Sequence, residues 1–290
     1  MDPGLAVAVL AACVWGSYLF ALKRYFPSYS ASVIVTVVHP LAIALYLPVA
    51  VGSMPAAGPS PIRLLLDGGV GIAVIVVSNS LAFMAFIRAI AVGEISYVAP
   101  ISKIVPVFVL PLEILLLGEH LTSLQLAGIA LATVAVYVAN FQGGAWLAPL
   151  RRAAGSRAAG FALLSAALYA VGDVGRRVTL QELAVPPSLL VVSLLGGMAI
   201  VLAPQAIRTW PGGVRADLPK FLAAGAVVAV GEHTTAIAFS SLPASIASPI
   251  INTQAIVAVV LGGLVLREEA FALRLFAAAL AICGVTLIAI

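Results

Sequence analysis

The chain has 290 residues, 63% hydrophobic and 9% charged, with a formal net charge of +4. A soluble domain carries about 25% charged residues, so too few polar side chains are present to cover water-facing domains; a mean hydropathy of +1.17 suits a chain that meets lipid. The basic balance does not point to nucleic acid, because the Lys and Arg residues stand in short loops without interleaved aromatics, where they set orientation or meet anionic lipid headgroups.

A helix that crosses a bilayer needs about 20 apolar residues. Ten runs qualify in chain order: 4–22, 31–52, 67–90, 95–117, 122–140, 158–180, 187–207, 218–240, 243–266 and 270–290. None shows the strict alternation of a lipid-facing barrel, so each is expected to be a helix. The first run follows Asp2 and precedes Lys23 and Arg24, the reverse of a secretory signal. The third and fourth runs part near Gly93-Glu94, and the eighth and ninth near Leu242-Pro243, as at tight turns between antiparallel helices. Cys13 and Cys283 both fall inside predicted spans. Free, buried thiols are expected there, with neither a disulfide framework nor a metal site.

Residues 93–121 and 242–270 are two copies of one pattern. A constant offset of 149 pairs Ser96 with Ser245, Pro100 with Pro249 and Glu119 with Glu268. The longest charged connection, 141–157, leaves five spans on each side. Five is odd, so duplicating a five-span unit makes the second copy enter the membrane upside down. The expected architecture is an all-α membrane protein of ten helices. Residues 1–141 and 158–290 form two inverted repeats, and 142–157 connects them.

Several motifs in fixed order resemble the EamA-like branch of the drug/metabolite transporter superfamily. They are Trp15-Gly16-Ser17, the stretch from Ala89 to Gly128 with Pro106-Val107-Phe108, Gly118-Glu119 and Gln125-Leu126-Ala127-Gly128, and Pro249, Glu268 and Gly284-Val285 in the second half. The second half departs at Tyr169-Ala170, where the first has Trp15-Gly16, and at Ala255, where the first has Pro106. The resemblance implies a ten-helix carrier of small metabolites, amino acids, sugars or drugs, often an exporter or exchanger, in a prokaryotic inner membrane. It also implies cytoplasmic termini. Loop charge implies the opposite. Lys23, Arg24, Arg88, Arg151, Arg152, Arg157, Arg208, Arg215, Lys220, Arg267 and Arg274 fall on one face, against Arg63, Arg176 and Arg177 on the other.

A polar side chain at membrane depth needs a partner or a water-filled cavity. His39, Asn79, Lys103, Asp173, Glu232, His233, Asn252 and Gln254 each lie within about 6 Å of their span's midpoint by helix rise. Six spans placing polar groups at one level point to a central cavity. Lys103 costs about 2.5–3.5 kcal/mol mid-span and reads either as a counter-charge for a carboxylate or phosphate, or as one half of an ion pair with Asp173 or Glu232. Asn252 is its equivalent by the same offset. Glu232, Asp173 and His233 are the candidates for proton coupling, and a bond from Glu232 to Thr234, Thr235 or a neighbouring helix is the structural alternative. Trp15, Tyr18, Tyr97 and Tyr169 can stack on a solute. Pro100, Pro106 and Pro249 each break a backbone bond and are candidate hinges. Glu119 and Glu268 are expected to cap the following helix or to pair with Arg267 or Arg274. Gly128 with Ala132, and Ala277 with Ala281, permit close helix contact.

No phosphate-cradling GxxxxGK[ST], HExxH or nucleophile-elbow pattern is present. The expected function is secondary transport of a small polar metabolite, such as an amino acid or organic anion, by alternating access. A proton is a candidate coupling ion. No cofactor or nucleic acid is called for, membrane lipids are the surroundings, and a monomer or homodimer suffices. The alternatives are a flippase for a lipid-linked headgroup, an intramembrane enzyme and a ligand-sensing membrane receptor.

Overall fold

The computed structural model describes residues 2–53, 60–92, 102, 104–139, 156–266, 276, 279–280, 282–284 and 286–287. All regular structure among them is helical: α1 (Pro3–Tyr25), α2 (Ala31–Gly52), α3 (Pro61–Asp67), α4 (Gly69–Val92), α5 (Val105–Leu117), α6 (Ser123–Ala139), α7 (Arg157–Arg177) continuing into a π-turn (Val178–Glu182), α8 (Pro187–Arg208), α9 (Leu218–Ser241), α10 (Ala244–Asn252) and α11 (Gln254–Leu266). Among the described residues seven stretches are long and apolar enough to cross a membrane: 3–22, 31–52, 69–89, 157–182, 187–208, 218–241 and 244–262. Apolar side chains such as Val70 and Leu115 are about four-fifths exposed, which water would not tolerate in such numbers and lipid does. The predicted tenth span lies largely outside the described residues.

Helix starts follow from local chemistry. Asp2 accepts from the Gly4 amide at 2.6 Å ahead of α1, and Ser30, Ser60 and Ser156 accept from Val33, Arg63 and Ala159 ahead of α2, α3 and α7. Before α6 the Thr122 amide donates to Gln125 Oε1 at 3.0 Å and the Gln125 amide donates to Thr122 Oγ1 at 3.2 Å, a reciprocal capping box. That leaves Glu119 without the capping role expected of it.

The repeat is visible in the structure. α5 and α11 are both 13 residues long and begin 149 residues apart, at Val105 and Gln254. The ninth predicted span is therefore two helices, α10 and α11, broken at Thr253, whose hydroxyl donates to the Ile250 carbonyl at 2.6 Å. Packing follows the same two-fold relation. α4 lies along α7 and α9 along α1; α5 meets α7 and α11 meets α1; α2 packs on α8, its own counterpart. Each of these pairs joins one half to the other, so the halves interlock instead of standing side by side.

On the face that carries the α1–α2 and α8–α9 connections, Tyr29 donates to Asp217 at 2.7 Å and Ser30 meets Thr209 at 3.0 Å. Hydrogen bonds from Lys220 and Tyr29 hold the Asp217 carboxyl below its usual range. Gly128 and Ala132 make the close contact expected of them, whereas Ala277 and Ala281 lie outside the described residues. A Cβ on Gly284 would stand 2.7 Å from the Ala132 amide and 2.9 Å from the Gly128 carbonyl, so the last span meets α6 backbone to backbone. Cys13 and Cys283 are free, as expected, but they are exposed instead of buried; their side of each helix faces outward from the bundle.

Candidate functional site

A cavity of about 370 Å³ lies between the halves. It is walled by α1, α2, α4 and α5 from the first repeat and by α7 to α11 from the second. Toward the α1–α2 connection its lining is apolar, with Leu19, Leu22, Ala31, Ile34, Val35, Phe83 and Phe86. Toward mid-bundle the lining becomes polar, with Asn79, Asp173, Arg176, Glu232, Thr235, Ser248 and Asn252. The chamber thus has a charged floor and an apolar throat, suited to a solute with a polar head and an apolar body.

The repeat offset maps part of the lining onto itself. Asn79 corresponds to Val228, Phe83 to Glu232 and Val105 to Gln254, and all six face the cavity. Each pair has a polar member in one copy and an apolar member in the other. Duplication supplied a symmetric chamber, and divergence gave its two walls different chemistry.

Most sequence-derived candidates gather here. Trp15, Tyr18, His39, Asn79, Tyr169, Asp173, Glu232, Asn252 and Gln254 all line the cavity. The Trp15 indole donates to Thr235 Oγ1 at 2.9 Å and its ring meets Tyr18 edge-on at 5.7 Å. His39 pairs through Nδ1 with the Leu195 carbonyl at 3.2 Å. Ser248 donates to Asp173 at 2.5 Å, and Asn252 donates back to the Ser248 carbonyl at 2.9 Å. Pro249 sits inside α10, and Pro106 in the first turn of α5. His233 is turned elsewhere; its Nδ1 lies 2.7 Å from the Tyr46 hydroxyl. Tyr97, Pro100, Lys103, Arg267, Glu268 and Arg274 lie outside the described residues.

Two arginines change the electrostatic picture. Arg176 and Arg177 end α7 and read in the sequence as loop charges, yet both are less than a tenth exposed. Arg176 grips Glu232 with two nitrogens, at 2.8 and 3.5 Å. Glu232 therefore bonds a neighbouring helix, one of the structural alternatives expected of it, and neither Thr234 nor Thr235. Thr234 donates to the Val230 and Gly231 carbonyls, and Thr235 accepts from Trp15. Arg177 stands 3.3 Å from Glu113 and donates to Glu119 at 3.1 Å. Glu119 thus pairs with Arg177 of the second repeat's first helix; the partners expected of it, Arg267 and Arg274, lie outside the described residues. The signal that could have found both arginines was the carboxylates: Glu113 and Glu232 are acids inside apolar spans that each demand a cation.

Two buried donors in the lining, Asn79 Nδ2 and Arg176 Nε, have no hydrogen-bond partner among the described residues. Asn79 is seated by Gly172, where a Cβ would come within 2.6 Å of its Oδ1; the missing side chain lets α4 and α7 close on the amide.

A model of the EamA-like transporter family matches residues 2–141 and again 156–290. One solved structure, described only as the crystal structure of a protein, superposes with a TM-score of 0.76 over 99% of this chain and 98% of its own. The two share 14% of their residues, so the likeness is one of fold. No curated protein matches the chain.

Proposed function

We propose, from the premise that the chain belongs to the EamA-like transporter family, that it is a secondary carrier of a small polar metabolite, an amino acid or an organic anion. The observation that supports this most is the cavity itself: about 370 Å³, walled by both repeats, with a charged floor and an apolar throat. Two interlocked inverted repeats can rock about such a chamber and present it to each side in turn. The unpartnered donors on Asn79 and Arg176 suit an acceptor oxygen of a carboxylate. Asp173, held by one hydroxyl donor, suits an ammonium or a proton. Lys103 is the proposed additional counter-charge on span 4.

Reconstitution tests the reading. Proteoliposomes loaded with a radiolabelled amino-acid or organic-anion mixture should exchange at least one component with external unlabelled solute, and the solute should emerge chemically unchanged. Product formation would favour an intramembrane enzyme. Saturable binding without exchange would favour a receptor, and movement of a lipid-linked headgroup alone would favour a flippase. Asn79→Leu should raise the KM for the transported solute by about tenfold or more, the worth of one hydrogen bond to a charged group, with the maximal rate less affected.

A further inference from the structure

The end of the molecule opposite the apolar throat is closed by a knot of buried polar contacts that transport through the cavity would have to undo. Glu113, on α5 of the first repeat, has a side chain with no exposed surface. One carboxylate oxygen accepts from the Ala244 amide and the other from the Ser245 amide, both at 2.6 Å. These are the first two residues of α10. Arg177 adds its guanidinium at 3.3 Å and reaches Glu119 at 3.1 Å. It also donates through Nε to Gln181 at 3.2 Å, and Gln181 Nε2 donates to the Phe239 and Leu242 carbonyls at 2.8 and 2.9 Å. One first-repeat helix is thereby tied to the ends of α7 and α9 and the start of α10.

The repeat equivalents of the central pair carry no charge. The offset of 149 that relates the repeats sets Gly262 against Glu113 and Ser28 against Arg177. A duplicated carrier with identical gates would favour neither orientation. Here the central pair, Glu113 with Arg177, exists in one copy only; of the charged members Glu119 alone has a charged equivalent, Glu268.

We propose that Glu113 and Arg177 are positioning residues for transport: they form a one-sided gate that biases the resting carrier toward the conformation closed at the α9–α10 turn and open toward the α1–α2 connection. The proposal rests on the carrier reading. A polar knot holds well in a low-dielectric setting because each broken member leaves an uncompensated charge, and its release requires the three elements to part together. Solute at the floor, beside Arg176, lies one residue along α7 from Arg177, so occupancy of the floor and release of the gate share one helix end.

Accessibility measures the bias without any solute. Ile251 lines the cavity, and Ile251→Cys, with Cys13 and Cys283 replaced by alanine, gives one reporter thiol. A membrane-impermeant maleimide is applied to either face of sealed vesicles. In the parent, labelling from the α1–α2 face should exceed labelling from the α9–α10 face by about tenfold or more, the ratio that a modest bias between two states produces. Glu113→Gln should raise the rate from the α9–α10 face by about tenfold or more and lower the rate from the other. Where Glu113→Gln fails to fold, Glu113→Gln with Arg177→Gln removes both charges and reads the same gate; Glu119→Gln, on the most exposed member, should give a smaller change of the same sign. A double variant that melts like the parent and keeps the parent's labelling ratio overturns the proposal. Absence of solute flux in liposomes would bring down the carrier reading and would leave this ratio standing or falling by itself.

Discussion

At the residue scale the two cavity carboxylates hold different positions. Glu232 has a guanidinium on both oxygens, whereas Asp173 has a serine hydroxyl. Removing one partner of a buried pair leaves the other charge unmatched, which costs about 3–5 kcal/mol. Glu232→Gln should therefore lower the melting temperature in detergent markedly, and Glu232→Gln combined with Arg176→Met should recover much of the loss. A recovery confined to the double variant identifies the pair as the source. Asp173→Asn costs only a rearranged hydrogen bond and should melt close to the parent. If Asp173 carries the coupling proton, net flux driven by a pH gradient should vanish in Asp173→Asn while exchange at equal concentrations survives. Persistence of pH-driven flux in Asp173→Asn would move the proton site to Glu232 or to another ion altogether. The sequence showed both acids, because an ionisable side chain in an apolar run stands out. It hid the cation of Glu232, because Arg176 sits where an apolar run gives way to polar residues, and there an arginine bound inward has the same sequence context as one in water.

At the element scale, legibility depended on length and on offset. Span 31–52 coincides with α2, and most other span ends fall within one or two residues of the observed helices. A bend or break in this span was expected from Pro249, but not its position at Thr253. Pro249 marks the kink region, but the helix stops four residues later, where Thr253 bonds back to Ile250 and α5 also begins at the equivalent point of its own copy. Small residues were easier to read than breaks. Gly284 meets the α6 backbone directly, so Gly284→Ala must push α6 away from the last span and should cost about 1–3 kcal/mol. The measurement is thermal unfolding in detergent beside Gly160→Ala, where an added Cβ meets nothing within 4 Å. Equal melting of the two variants would refute the contact.

At the scale of the whole molecule, removing Arg176 and Arg177 from the loop charges leaves Arg63 alone on the face of the closed gate. The bias toward the other face becomes stronger than the sequence count indicated, and short loops are where such bias sets orientation. A C-terminal reporter active only in the cytoplasm is expected to stay silent. Activity would show that the cytoplasmic termini implied by the resemblance prevail over loop charge. The inverted repeat was legible from an odd span count and one offset. The interlocking of the halves was not, because it is set by which helix faces meet, and nearly featureless apolar helices conceal their partners.

That interlocking has a bearing on how the chain is made. The main packing partner of α4 is α7, and α4 buries Ser78, Asn79 and Ser80. During synthesis α4 reaches the bilayer while α7 is still unmade, so those three polar groups must wait among lipid or insertion machinery. A first half produced by itself should be a poor membrane tenant and a target for quality-control proteases. Two fragments divided in the 142–155 connection and expressed together should instead rescue each other, each serving as the other's chaperone.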